Sequence, residues 1–133
     1  DLAPKDAIYN DNMGSLNVVL SQKTKDPELL KKAVGHFKTA MVADPGLASV
    51  YNGLGGALSL QGDTDGAIAN WEKAIKLQPD YEFTVYNLAY AYFEKGDKTR
   101  ALVFYRRYLD LKGVNLMPQE RQEIEAMIEK CKK

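Results

Sequence analysis

The amino-acid sequence predicts an all-α fold: a right-handed αα superhelix of three antiparallel helix pairs closed by a C-terminal capping helix. Three observations carry this expectation. Ala33, Ala67 and Ala101 recur every 34 residues. A bulky aromatic, Phe37, Trp71 or Tyr105, follows each of them four residues later. Three residues beyond the aromatics come Ala40, Ala74 and Tyr108. A constant period of this length marks helix–turn–helix arrays, whose repeats bury their cores against stacked neighbours and offer a continuous face to partners. Function is therefore expected on a surface and not in a catalytic cleft.

The first copy spans about residues 5–47. Its second helix keeps the phase through Ala33, Phe37, Ala40 and Pro45, but Asp26-Pro27 comes early, implying about four inserted residues and an extra turn opening at Pro27. The first helix then covers about residues 5–22, with Met13, Leu16 and Leu20 as the expected buried face. The second copy, residues 48–81, is the most regular. Tyr51, Leu54, Gly55 and Leu58 share one helical face. Gly62 suits a left-handed helix end, and Asp63 or Thr64 caps the next helix. Ala67, Ile68, Trp71, Ala74 and Leu77 line that helix, and Pro79 stops it.

The third copy, residues 82–115, aligns without a gap. Val85, Leu88, Ala89 and Tyr92 take the core places, and Gly96-Asp97 repeats the turn. It departs twice, with Tyr108 where a small residue is expected and Gly113 where Pro is expected, so the last pair opens differently onto the C-terminal helix. Pro118 then starts that helix, which runs to about residue 132 and carries Ile124, Met127, Ile128 and Cys131 on one side and polar residues elsewhere, the form of a terminal cap.

The W/Y..LG..Y, GD..A, aromatic, Ala and Pro pattern resembles the tetratricopeptide repeat family almost throughout the second copy and again in the third. In that family ligands usually lie in the groove of successive first helices. The resemblance places Ser49, Asn52, Gly56 and Ser59, then Phe83, Tyr86, Tyr90 and Phe93, on that face, with Asp11, Gly14 and Val18 as counterparts in the first copy. The family's carboxylate clamp uses cations and Asn. The matching positions here are Gly14, Val18, Gly53, Phe83 and Asn87, of which only Asn87 fits, so a grip on acidic C-terminal tails is not expected.

Helical spacing alone puts Phe83, Tyr86, Tyr90 and Phe93 in one stripe, apart from the core stripe of Val85, Leu88, Ala89 and Tyr92. Aromatics outside a core are natural binding anchors. The same surface could instead be covered by the cap helix or by residues outside the given sequence. In the preceding unit Gly53 and Gly56 remove side chains, leaving either a notch for a ligand or space filled by Tyr86 or Tyr90.

Other chemistries find little support. Lys plus Arg and Asp plus Glu are 18 each, giving no electrostatic pull on nucleic acid or anionic membrane. No apolar run is long enough to span a bilayer. The lone His36 has no companion ligands, so no metal is expected. The segment from Gly53 to Leu58, G-L-G-G-A-L, lacks the Lys-Ser/Thr ending of a phosphate loop. Cys131 is the single cysteine, expected as a packed thiol. The chain opens on Asp1 without Met, as a mature or excised fragment would.

The expectation is thus a non-enzymatic module without cofactor. It binds a peptide or helix of a partner protein through Asn52, Gly56, Phe83, Tyr86, Asn87, Tyr90 and Phe93, with neither nucleic acid nor membrane insertion. Self-association into a homodimer is one rival. Another is an accessory C-terminal segment of a larger enzyme, because Ala3–Asp6 (A-P-K-D) resembles the tail after the catalytic domain of some bacterial sulfatase-like proteins. Compartment is not legible.

Overall fold

A computed structural model describes residues 4–133. These form α1 (Pro4–Thr24), α2 (Pro27–Ala43), α3 (Ala48–Leu60), α4 (Thr64–Leu77), α5 (Glu82–Glu94), α6 (Lys98–Lys112) and α7 (Pro118–Cys131), with a 3-10 turn at Gly113–Asn115. They divide into two compact units, Asp1–Pro79 and Asp80–Lys133.

In the first unit α3 and α4 form the most regular pair. Gly62, at φ 87°, ends α3 in the left-handed region that only glycine enters without penalty. The Asp63 N–H reaches back to the Leu58 carbonyl at 2.9 Å, satisfying a terminal acceptor. The Asp63 carboxylate then accepts the Gly66 N–H at 2.9 Å and caps α4, which decides between Asp63 and Thr64. Trp71 is buried, its indole N–H donating to the Asn52 carbonyl at 3.1 Å. A Cβ at Gly55 would lie 2.5 Å from that indole, so the glycine is what lets the ring in.

The first pair is longer: α1 has 21 residues and α2 has 17, against 13 and 14 in α3 and α4. As expected, α2 opens at Pro27, and Asp26 caps it through the Glu28 N–H at 3.0 Å. The buried face of α1 differs from the expected one. Leu16 and Leu20 are exposed and Met13 is half-buried, whereas Ala7, Gly14, Asn17 and Ser21 are buried.

The cause is Phe37. A Cβ at Gly14 would fall 2.7 Å from its ring, so Gly14 plays toward Phe37 the part that Gly55 plays toward Trp71. Gly14 and Phe37 stand farther apart in sequence by seven residues than Gly55 and Trp71, not by the expected four. Two antiparallel helices that each gain one turn of 3.6 residues absorb about seven residues and keep their pairing below the extension. Buried Asn17 and Ser21 satisfy themselves locally, donating to the carbonyls of Met13 at 2.9 Å and Val18 at 2.7 Å.

In the second unit α5 and α6 repeat the α3–α4 design. Gly96 has φ 86°, and Asp97 caps α6 through the Arg100 N–H at 3.1 Å. That bond, with the Arg100 side chain, holds the Asp97 carboxyl below its ordinary pKa. Val85, Leu88, Ala89, Ala101 and Tyr105 are fully buried. Tyr92 is half-buried and stacks on Phe104 at 5.7 Å and 5°. Gly113, at φ 52°, ends α6 and frees the chain to turn. Helix α7 begins at Pro118, with the Glu120 carboxylate accepting the Met117 N–H at 3.1 Å. Its buried face is Ile124, Ile128 and Cys131, with Met127 half-buried, so the remaining face is polar as a cap requires.

Candidate functional site

The period-34 residues are consumed by packing: Ala33, Ala67 and Ala101 are buried, as are Phe37, Trp71 and Tyr105. What α5 leaves outside is its aromatic face. Phe83 is 67% exposed, Tyr90 50% and Tyr86 38%, while Phe93 and Asn87 are half-buried. The cap helix in the same unit therefore leaves most of the stripe open. Four aromatics spaced by three and four residues form one row on a helix. Rings held on a regular element lose little freedom on contact and make rigid anchors.

Tyr86 is the best supported of the row. Its ring packs edge-on against Tyr105 at 6.3 Å and tilts against Tyr108 at 5.3 Å and 57°. Tyr108, the large residue at a normally small position, is buried and builds that contact. Together Phe83, Tyr86 and Tyr108 of α5 and α6 face Glu120, Glu123 and Ile124 of α7 around a hollow of about 260 Å³. The last four of these six were absent from the expected site. Tyr108 carried a signal in its departure from the repeat, whereas the two glutamates looked like solvated cap residues.

Burial pushes the phenols of Tyr105 and Tyr108 above their ordinary pKa. The Tyr105 hydroxyl is enclosed with no hydrogen-bond partner among the described residues. At Tyr108 the Lys112 ammonium opposes the rise, and Lys112 itself is held by Glu82 at 3.5 Å.

The corresponding face of the first unit is small and polar. The Ser49 hydroxyl donates to Asp11 Oδ2 at 2.6 Å, placing Asp11 on the exposed side where the longer register puts it. In that register the counterparts of Asn52 and Gly56 are Asp11 and Ser15, replacing Gly14 and Val18. Asn52 is half-buried and Gly56 borders open space, with nothing within 4 Å of a Cβ built there. Gly53 is no notch. A Cβ there would meet Phe37 at 2.5 Å, so Gly14 and Gly53 together seat that ring, and the place is filled from within the first unit instead of by Tyr86 or Tyr90. A second hollow in this unit, about 240 Å³ and lined by Ser21, Gln22, Lys25, Asp26, Pro27, Leu30 and Leu60, borders the extended turn and has no aromatic wall.

Reactive groups are tied down. His36 Nδ1 hydrogen-bonds with Asn10 Oδ1 at 2.9 Å. Burial raises the Cys131 thiol above its ordinary pKa, which disfavours the thiolate. No group of three His, Cys, Asp or Glu converges among the described residues. No helix among them is long and apolar enough to cross a membrane.

Residues 57–96 match a family described as TPR repeat, and residues 84–115 match one described as tetratricopeptide repeat. Among curated proteins, the protein FlbA of Caulobacter vibrioides is 29% identical over 99 residues, 74% of this chain and 15% of its own length. The mouse protein O-mannosyl-transferase TMTC1 is 32% identical over 88 residues, 66% of this chain and 9% of its length. The chain thus spans only a small part of these relatives.

Among solved structures, the first TPR of Spaghetti (RPAP3) bound to HSP90 peptide SRMEEVD has TM-score 0.82 at 15% identity, over 99% of this chain and 98% of that one. The TPR2B domain of yeast Sti1 in its pHsp70 complex has TM-score 0.79 at 19% identity, over 96% and 97%. The Yersinia enterocolitica type III secretion chaperone SycD, with a peptide of the translocator YopD, has TM-score 0.73 at 19% identity, over 91% and 90%. At such identities the likeness shows the fold, the all-α αα-superhelical class expected from the sequence. The matches do not show the sulfatase-like resemblance, and Ala3, which opens it, lies outside the described residues.

Proposed function

We propose, from the premise that the chain belongs to the tetratricopeptide repeat family matched over residues 57–96 and 84–115, that it is a non-enzymatic module that binds a peptide or helix of a partner protein. The observation that carries the reading is the open aromatic row of α5, in which Phe83, Tyr86 and Tyr90 stay exposed while Val85, Leu88 and Ala89 of the same helix are fully buried. Phe93 and Asn87 continue the face. Asn52 and Gly56 enter as contacts by repeat equivalence, standing 34 residues before Tyr86 and Tyr90.

The three solved relatives are each captured with a peptide or partner, which supports the class of ligand. The acidic-tail clamp is disfavoured here. Gly14 and Gly53 are occupied by Phe37, and Asp11 and Ser15, which stand at the corrected positions, supply no cation to pair with a carboxylate.

A peptide-display selection on the wild-type chain, followed by calorimetry of the enriched peptides, tests the proposal. Replacing Tyr86 and Tyr90 together by Ala is expected to weaken binding by about 2 kcal/mol or more. Unchanged affinity in a folded double variant would remove α5 from the function. Self-association is a second reading with its own motive: Ile8, Tyr9, Leu16, Val19 and Leu20 are all exposed on one side of α1. Sedimentation over a concentration series decides it, and a strict monomer rejects it.

A further inference from the structure

We propose that the hollow between α5, α6 and α7 is a subsite for a basic side chain, so that the partner segment presents an Arg or Lys there. The inference rests on the peptide-binding reading and names the chemistry of one contact within it.

Three features converge. Phe83, Tyr86 and Tyr108 line the hollow, and the rings of Tyr86 and Tyr108 stand 5.3 Å apart at 57° to each other. Glu120 and Glu123, both exposed residues of α7, line it from the opposite side. The volume, about 260 Å³, falls below the roughly 300–1,000 Å³ of small-molecule sites and suits one long side chain. An aromatic face attracts an ammonium or a guanidinium through its quadrupole, most strongly where water is displaced.

Charge complementarity selects the occupant. A purely apolar side chain would meet the rings and leave the two glutamates without a counter-charge, whereas a guanidinium answers both. Two cations on the helices that border the hollow already have partners. Lys112 pairs with Glu82 at 3.5 Å, and Arg121 donates to the Gly113 carbonyl at 2.8 Å; neither lines the hollow. Glu120 keeps one oxygen for its cap on Met117, which fixes the carboxylate while leaving its other oxygen for a ligand. Tyr108, 8% exposed, steadies Tyr86 through the tilted contact of their rings.

The test titrates the isotopically labelled chain with N-acetyl-arginine amide and with N-acetyl-citrulline amide, which has nearly the same shape without the charge. The arginine probe is expected to shift amide signals around Phe83, Tyr86, Tyr108 and Ile124 and to bind about fivefold tighter than the citrulline probe. That margin should shrink as salt rises. Glu123→Gln should lose most of it, and Tyr86→Leu, which keeps apolar bulk without the ring, should do the same while remaining folded. Equal binding of the two probes, shifts confined to other regions, or an undiminished margin in both variants would overturn the proposal. Display-selected peptides that bind the α5 row without a basic residue would sink this subsite while leaving the wider reading intact. Arginine binding at the hollow with no peptide selected would support the subsite and count against that wider reading.

Discussion

Helices α3 and α5 hold the same place in their pairs and are both 13 residues long, yet their outward faces are opposites. Both end in a glycine at φ near 87° followed by an aspartate cap. Where α5 presents Tyr86 and Tyr90, α3 presents Asn52 and Gly56. The shared positions are those that packing fixes, and the differing ones are those that packing leaves free. The comparison also separates two glycines that look alike in sequence. Gly53 is required by the core, because Phe37 stands against it, and Gly56 is required by nothing in its own unit.

The largest test of that division is at Phe37, which is fully buried between Gly14 and Gly53. Phe37→Ala is expected to cost about 3–5 kcal/mol by transfer and cavity terms, read from urea unfolding. Gly53→Ala comes next. Helix propensity favours the alanine by about 1 kcal/mol, but its Cβ would sit 2.5 Å from a ring that is blocked behind by Gly14. Overpacking should win, for a net loss of about 1–3 kcal/mol. A stabilised Gly53→Ala variant would show that the ring has room and would return Gly53 to the open face.

The aromatic side of the comparison turns on Tyr105, which supports Tyr86 from below while burying an unpartnered hydroxyl. Removing that hydroxyl in Tyr105→Phe keeps the ring contact and should stabilise the chain by about 1 kcal/mol. The sign of the pH effect comes from the raised pKa. The folded state holds the Tyr105 proton at pH values where the unfolded chain releases it, so the contribution is complete below the ordinary phenol value of about 10 and declines as pH rises through it toward the folded value. Thermal melts between pH 9 and pH 11 should therefore fall less steeply in Tyr105→Phe than in the parent.

Legibility in the sequence followed the same line between fixed and free positions. The second and third pairs were readable because each aromatic demands a small residue at a set distance, and those pairings recur. Helix α1 was not, because Leu16, Val19 and Leu20 lie outward while Gly14, Asn17 and Ser21 lie inward, so apolarity points the wrong way. The steric match of Gly14 to Phe37 sets the register once the extension is one turn on each of two helices. Of the site, the α5 row was readable from spacing alone. That Glu120 and Glu123 border the same hollow as that row depends on α7 lying against α5 and α6, and no local pattern contains that.

The smallest expected effect is at Gly56, and it tests whether the free positions of α3 have a use. In the interior of a helix, with nothing within 4 Å of the added Cβ, Gly56→Ala has only propensity to gain, up to about 1 kcal/mol. A thermal melt that rises by a few degrees would confirm that the fold does not need this glycine. Affinity then divides the remaining cases. If display-selected peptides bind the stabilised variant more weakly, the missing side chain serves close approach of a ligand, and α3 takes part in recognition along with Tyr90. If they bind equally, recognition is confined to the aromatic unit, and the contrast between α3 and α5 is one between a bare helix and a binding one.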